Sequence, residues 1–271
     1  MVVRRQRPPS CNPVEGIRTG LQGLIPLPAR AEKPRTTGVT HVVDTGLTCV
    51  EAAGLMEVAA AHVDVIRLGW GSALVTQALE VKLAAYLDHD VAPMLGGTLT
   101  ELAWRHGRVD QLREALMGLG IRHVEVSEGT LDLPSEDKRR LIGTLKQDFT
   151  VFVEVGSKDG RLAPASELWV RQASEALDAG AHAIVCEGRV SGDAGLYWPD
   201  GSIRDELVDA LVAEAGIERL IFEAPRRSQQ AWLVRHFGSD VGLGNVLPHD
   251  LIGVESLRLG LRSDTLTRFH S

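Results

Sequence analysis

From Thr40 to the C-terminus, short apolar runs alternate with longer stretches whose apolar positions recur at helical spacing. The runs His41–Asp44, Val63–Leu68, Val91–Leu95, His123–Val126, Thr150–Val155, Ala183–Cys186, Arg219–Phe222 and Val241–Leu243 predict eight strands. Each is β-branched or otherwise apolar and ends at Gly, Glu, Asp or Ser. The intervening stretches read as helices. In Glu167–Ala179, Trp169, Ala173, Ala176 and Leu177 share a face, and Gly180 supplies the stop. Near-continuous apolar strands separated by helices imply a parallel sheet covered on both faces. A doubly wound open sheet is the alternative. The count of eight, and polar residues after nearly every strand rather than at one switch point, favour a single-domain (β/α)8 TIM barrel over residues 37–271. Residues 1–36, rich in Pro and Arg, predict a partly irregular, loosely packed N-terminal arm with one short helix around Gly16–Leu24.

The length of 271 residues suits one barrel of this kind. A net charge of −7 argues against a nucleic-acid surface but leaves room for a small anionic substrate, which needs only a local cluster of cations. Cys11, Cys49 and Cys186 are odd in number and widely spaced, so neither a disulfide framework nor a zinc site is expected. No apolar stretch is long enough to span a membrane, and Arg4, Arg5 and Arg7 are not followed by the apolar segment of a signal peptide. The expected compartment is the cytoplasm.

In a parallel barrel all strand C-termini open onto one face, so residues distant in sequence converge there. Glu154, Glu187 and Glu223 each end an apolar strand, on three consecutive strands. A carboxylate turned toward a barrel interior is costly unless positive charge meets it. Either neighbouring Arg and Lys pair with these acids, or a hard cation such as Mg2+ does. Asp44 is a further candidate ligand, or a turn-former before Thr45-Gly46. Thr98-x-x-Glu101 has the spacing of a capping box, which gives Glu101 a structural role. Arg67, Lys158, Arg189 and Arg226 lie at or beyond strand ends, placed either to pair with the acids or to meet an anion. Gly242-x-Gly244, read as following the eighth strand, falls where barrels often hold phosphate on backbone N–H groups. His62, His106 and His182 read as surface or packing residues, and Trp70 as core or pocket wall.

These motifs together resemble the phosphosulfolactate synthase family, barrel enzymes of coenzyme M biosynthesis. The resemblance runs from about Val43 to Thr265. It is carried by Leu68-Gly-Trp-Gly-Ser72, Gly96-Gly-Thr-Leu99 with Glu101, Val124-Glu-Val-Ser-Glu-Gly129 and Val153-Glu-Val-Gly156. Further on come Glu187-Gly-Arg189 with Ser191-Gly192, Gly195-Leu-Tyr197, and Ile221-Phe-Glu-Ala-Pro225 with Gln229-Gln230. Leu243-Gly-Asn245 and Leu257-Arg-x-Gly-Leu-Arg262 close the set. The resemblance implies Mg2+-dependent addition of sulfite to phosphoenolpyruvate. It places the metal on Glu154, Glu187, Glu223 and Asp44, and makes Lys158, Arg67 and Glu154 the catalytic set with Lys158 as general acid. It assigns the phosphate to Arg189, Arg226, Ser191, Gly242, Gly244 and Asn245.

The chain departs from the family pattern at three places. The pattern carries Lys where this chain has Arg67, Glu where it has Val190, and a Lys pair where it has Ser157-Lys158. Arg keeps the charge but donates a proton poorly. Three readings follow: the family synthase itself, a relative that adds another nucleophile to phosphoenolpyruvate or a similar phosphorylated acid, and a non-catalytic stress-related or scaffolding homologue. A homo-oligomer is expected, because barrels often associate through their helices.

Overall fold

The computed structural model describes residues 21, 23–127, 131, 133–156 and 166–270. Eight parallel strands close into a barrel in sequence order: β1 (Thr40–Asp44), β2 (Val65–Leu68), β3 (Ala92–Leu95), β4 (His123–Val126), β5 (Thr150–Val155), β6 (Ala183–Cys186), β7 (Leu220–Glu223) and β8 (Gly242–Val246). Around them lie α1 (Cys49–Ala59), α2 (Ser72–Val75), α3 (Leu79–Leu87), α4 (Gly97–Arg105), α5 (Val109–Gly118) and α6 (Ser135–Leu145). The ring is completed by α7 (Ser166–Ala179), α8 (Asp205–Ala215), α9 (Arg227–Phe237), α10 (Leu251–Arg258) and α11 (Leu266–Phe269). The predicted barrel is therefore the observed one. Among the described residues no helix is long and apolar enough to cross a membrane.

The period of two along each strand decides what the interior contains. Val65, Met94, Phe152, Ala183, Val185 and Ile221 form a small apolar cluster inside the barrel. The alternate strand residues, among them Val42, Ile66, Leu68, Val124, Val153 and Phe222, pack outward against the helices in the large core. Two residues beyond the interior positions Val65, Phe152 and Ile221 come Arg67, Glu154 and Glu223. The interior is thus apolar below and charged above. On α7 the buried residues are Trp169, Ala173, Ala176 and Ala179, with Leu177 only partly covered, so the face is the one expected, rotated slightly.

The arm expected to pack loosely is fastened from Arg30 onward. Arg30 reaches Asp240 at 2.9 Å and the buried Glu255 at 3.1 Å. Arg35 pairs with Asp64 at 3.1 Å, and Lys33 donates to the Ala60 carbonyl. Arg30 and Arg35 thus neutralise carboxylates at the base of the barrel. The helix expected around Gly16–Leu24 lies largely outside the described residues.

Candidate active site

The interior charges converge in a cavity of about 430 Å³ at the C-terminal mouth of the barrel. Its wall includes Arg67, Glu125, Glu154, Glu187 and Glu223, together with Gly69, Trp70, Gly96, Gly97, Thr98, Ser127, Arg189, Val190, Ser191 and Asn245. Among the described residues that is four carboxylates against two cations.

Arg67 sits at the centre. Its Nη1 lies 2.8 Å from Glu125 Oε2 and 3.7 Å from Glu154 Oε2, while Nη2 lies 3.1 Å from Glu223 Oε1. Nη2 also donates to Asn245 Oδ1. Burial works against the charge of this guanidinium, but Glu125, then Glu223 and Glu154, outweigh it and hold its pKa above the ordinary arginine value. Arg67 is therefore a fixed cation. Burial likewise opposes ionisation of Glu125, yet Arg67, with smaller help from His41 and the Gly97 N–H, keeps its carboxyl below the usual range.

Three of the four carboxylates are oriented by backbone. Glu125 Oε1 accepts from Gly97 N at 2.9 Å, Glu223 Oε2 from Gly188 N at 3.0 Å, and Glu187 Oε1 from Arg189 N at 2.6 Å. Three of the cavity-lining residues, Trp70, Arg189 and Asn245, have φ of 53°, 54° and 51°. A side chain in that left-handed region costs roughly 1 kcal/mol. Such strain gathered at one cavity marks a site shaped for a task rather than for stability alone.

Several expected residues stand elsewhere. Asp44, expected as a metal ligand, points out of the barrel: it pairs laterally with the outward Leu68 and is fully buried against α3. Its Oδ2 accepts from Lys82 Nζ and Tyr86 Oη, both at 2.8 Å, and its Oδ1 from Gly46 N and Leu47 N. No position on it faces the mouth. Gly242 and Gly244, expected in a phosphate loop, lie within β8, which begins and ends later than Val241–Leu243. Gly244 instead makes room inside the barrel, because a Cβ there would come within 3.1 Å of His41 Nδ1. Arg226 is drawn away from the cavity: its Nε donates to the Ser191 carbonyl at 2.7 Å and it leans on Asp193, bracing the loop after β6. Ser191 lines the cavity but its hydroxyl donates to Asp193. Asn245 lines the cavity too, as the acceptor for Arg67. Lys158 and Ser157 lie outside the described residues.

Glu101 is structural as expected, but not as a capping partner. The cap of α4 is Gly96, without a side-chain bond, and Glu101 accepts from Ser127 Oγ and Leu131 N. Glu125 and His41 were not singled out by the sequence. Glu125 was legible in principle, as another charged residue in an apolar strand. His41 was not: it is wholly buried, and neither ring nitrogen has a partner in the structure. Burial first, then the Arg67 charge, push its pKa down to about 3, so it is neutral.

A hard divalent ion suits the donor set. Among the described residues no three His, Cys, Asp or Glu side chains are gathered closely enough to hold an ion by themselves. Mg2+, however, commonly takes one or two carboxylates and completes its shell with water and substrate oxygens. Arg67 is committed to Glu125 and Glu223 and stands farther from Glu154. Glu154, on β5, and Glu187, just beyond β6, come from neighbouring strands and line the same cavity, so the two could share such an ion.

Comparison with known proteins gives a consistent result. Solved barrels share the fold at low identity. A 3-hexulose-6-phosphate synthase superimposes with a TM-score of 0.53 at 16% identity, over 81% of this chain and 98% of that one. The 3-keto-L-gulonate-6-phosphate decarboxylase of Vibrio cholerae O1 biovar El Tor gives 0.54 at 11% identity, over 87% of this chain and 100% of that one. Sequence relatives are more specific. The chain is 36% identical to the phosphosulfolactate synthase of Bacillus subtilis, over 89% of this chain and 97% of the relative. With the phosphosulfolactate synthase of Methanothermobacter thermautotrophicus it shares 37% identity, over 88% and 95%. The family model of (2R)-phospho-3-sulfolactate synthase (ComA) matches residues 28–264, which take in every strand and every charged residue of the mouth. With barrel, mouth and sequence in agreement, the chain belongs to the phosphosulfolactate synthase family.

Proposed function

We propose that the protein catalyses Mg2+-dependent addition of sulfite to phosphoenolpyruvate, giving 2-phospho-3-sulfolactate. The observation that carries this reading is the mouth itself, where three carboxylates surround a fixed guanidinium and Glu187, Arg189 and the start of α4 line the same cavity. In the reaction the sulfur lone pair forms a bond to the methylene carbon of the substrate. The π pair moves toward the substrate carboxylate, and a proton is added at the carbon that bears the phosphate ester. No bond to phosphorus breaks.

Arg189 and the N-terminal end of α4, where Thr98 lines the cavity, present positive potential to the phosphate. Glu154 and Glu187 would hold Mg2+, which supplies a Lewis acid for the charge that builds on the substrate carboxylate. Arg67 adds a second fixed positive charge but keeps its proton, so it does not serve as the acid. Lys158, two residues beyond Gly156 in the sequence, is the proposed proton donor, as the sequence resemblance implies.

Phosphorus NMR of the purified protein with phosphoenolpyruvate tests the reading directly. A new phosphoester signal that needs both sulfite and Mg2+ is expected. Substrate binding without such a signal would overturn sulfite as nucleophile. One observation favours that second reading, addition of a different nucleophile: Val190 and the exposed Trp70 give the cavity an apolar rim, and the family pattern carries Glu where Val190 stands.

A further inference from the structure

Two of the four carboxylates of the mouth share one arrangement. Glu125 and Glu223 each have one oxygen on Arg67, at 2.8 and 3.1 Å, and the other on a backbone N–H, at 2.9 and 3.0 Å. Read across the mouth, the connection runs from Gly97 N–H to Glu125, through the two arms of the guanidinium to Glu223, and on to Gly188 N–H. All three side chains are buried, so the Arg67–Glu125 hydrogen bond and the Arg67–Glu223 ion pair, which is not a hydrogen bond, are little screened by water. Asn245 supports the same arm of Arg67 from β8.

We infer that Arg67, Glu125 and Glu223 form a clamp that positions the two anion-facing segments of the site, and that Glu223 is not a metal ligand. The segments are Gly97-Thr98 at the start of α4, following β3, and Gly188-Arg189, following β6. In a ring of eight strands these lie three apart, on nearly opposite walls of the cavity. A phosphorylated acid held between them needs a fixed gap. A planar guanidinium can address two carboxylates at once in fixed directions; an ammonium is a single point of charge. Gly97 packs so closely on Ser127 that no larger residue fits there. The inference rests on the proposed substrate only for what the gap holds; the three residues are positioning residues, acting through the segments they fix.

The test is amide hydrogen exchange, read by mass spectrometry, on the full chain and on Glu125→Gln and Glu223→Gln. Each amide side chain can still accept from its glycine but turns an NH2 group toward Arg67. The expected signature crosses the mouth. Glu125→Gln speeds exchange in the Gly188-Arg189 peptide, which it does not touch, and Glu223→Gln does so in the Gly97-Thr98 peptide. Both raise KM for phosphoenolpyruvate at least tenfold. Changes confined to each variant's own segment would overturn the clamp. In the same samples, Mn2+ titration is expected to give Glu223→Gln an affinity within threefold of the parent, while Glu154→Gln and Glu187→Gln lose tenfold or more. Loss of Mn2+ binding in Glu223→Gln would make it a ligand and overturn the assignment. If the parent itself binds no Mn2+, the metal reading fails while the exchange data still judge the clamp. Should either glutamine variant fail to fold, Arg67→Lys replaces it, with faster exchange expected in both segments and an unchanged pattern counting against the clamp.

Discussion

Replacing Asp44 by Asn tests whether this residue belongs to the stability of the barrel or to its chemistry. The carboxylate is fully buried and meets the equally buried Lys82, with Tyr86 on the same oxygen and two backbone N–H groups on the other. Asn is nearly isosteric and has one carbonyl oxygen where Asp has two. If that oxygen keeps the Gly46 and Leu47 N–H groups, an NH2 faces the Lys82 ammonium and the Tyr86 hydroxyl. The variant leaves a buried cation without its partner, which costs about 3–5 kcal/mol. At roughly 2–4 °C per kcal/mol for a domain near this size, the melting temperature should fall by on the order of 10 °C. Asp44→Asn with Lys82→Met removes the stranded charge and should recover more than half of the loss. Thermal and urea unfolding of the parent, both single variants and the double variant supply the cycle. Mn2+ affinity, measured on the folded single variant, should match the parent. A melting temperature within about 2 °C of the parent, or a selective loss of Mn2+ binding, would refute the reasoning.

Further outcomes follow from the same geometry. Arg189→Ala should raise KM for the phosphorylated substrate at least tenfold, whereas Arg226→Ala, whose side chain braces the loop after β6, should raise it less; steady-state kinetics at saturating Mg2+ separates the two. Gly97→Ala drives a methyl group into Ser127 and its bond to Glu101, and should cost about 1–3 kcal/mol of stability in urea unfolding. The buried His41 has its folded pKa depressed to about 3, so between that value and the unfolded value near 6.5 the unfolded chain binds the extra proton. Its contribution is present above pH ~6.5 and is lost as pH falls toward 3, at up to about 1.4 kcal/mol per pH unit. His41→Met should flatten the pH dependence of the urea midpoint in that window, and an unchanged slope would count against a neutral buried imidazole.

The fold was legible because its signal is repeated. Eight apolar runs separated by helical periods leave few alternatives, and β4, β5 and β6 begin and end where the sequence pattern places them. The eighth strand was recognised but ends later than expected, because Gly242 and Gly244 look like a phosphate loop. Their lack of side chains serves the crowded barrel interior instead, where Gly244 faces His41. How the arm is fastened was not legible for a related reason: sequence shows Arg30 and Arg35 as charges, but only the fold reveals Glu255 and Asp64 beneath them.

For the site, the sequence by itself determined that acids end successive strands and must therefore meet positive charge at one end of the barrel. Period two also implied that Glu154 shares a face with Phe152, and Glu223 with Ile221. What it left open was parity and partnership. Asp44 ends its strand as the glutamates do, yet lateral register with Leu68 turns it outward, and no local signal in β1 says which face is inside. Which carboxylates a guanidinium takes depends on ångström differences, 2.8 and 3.1 Å against 3.7 Å, between residues as far apart as Arg67 and Glu223. Such distances are fixed by barrel closure and stagger, a property of all eight strands together, and so only the tertiary structure decides them.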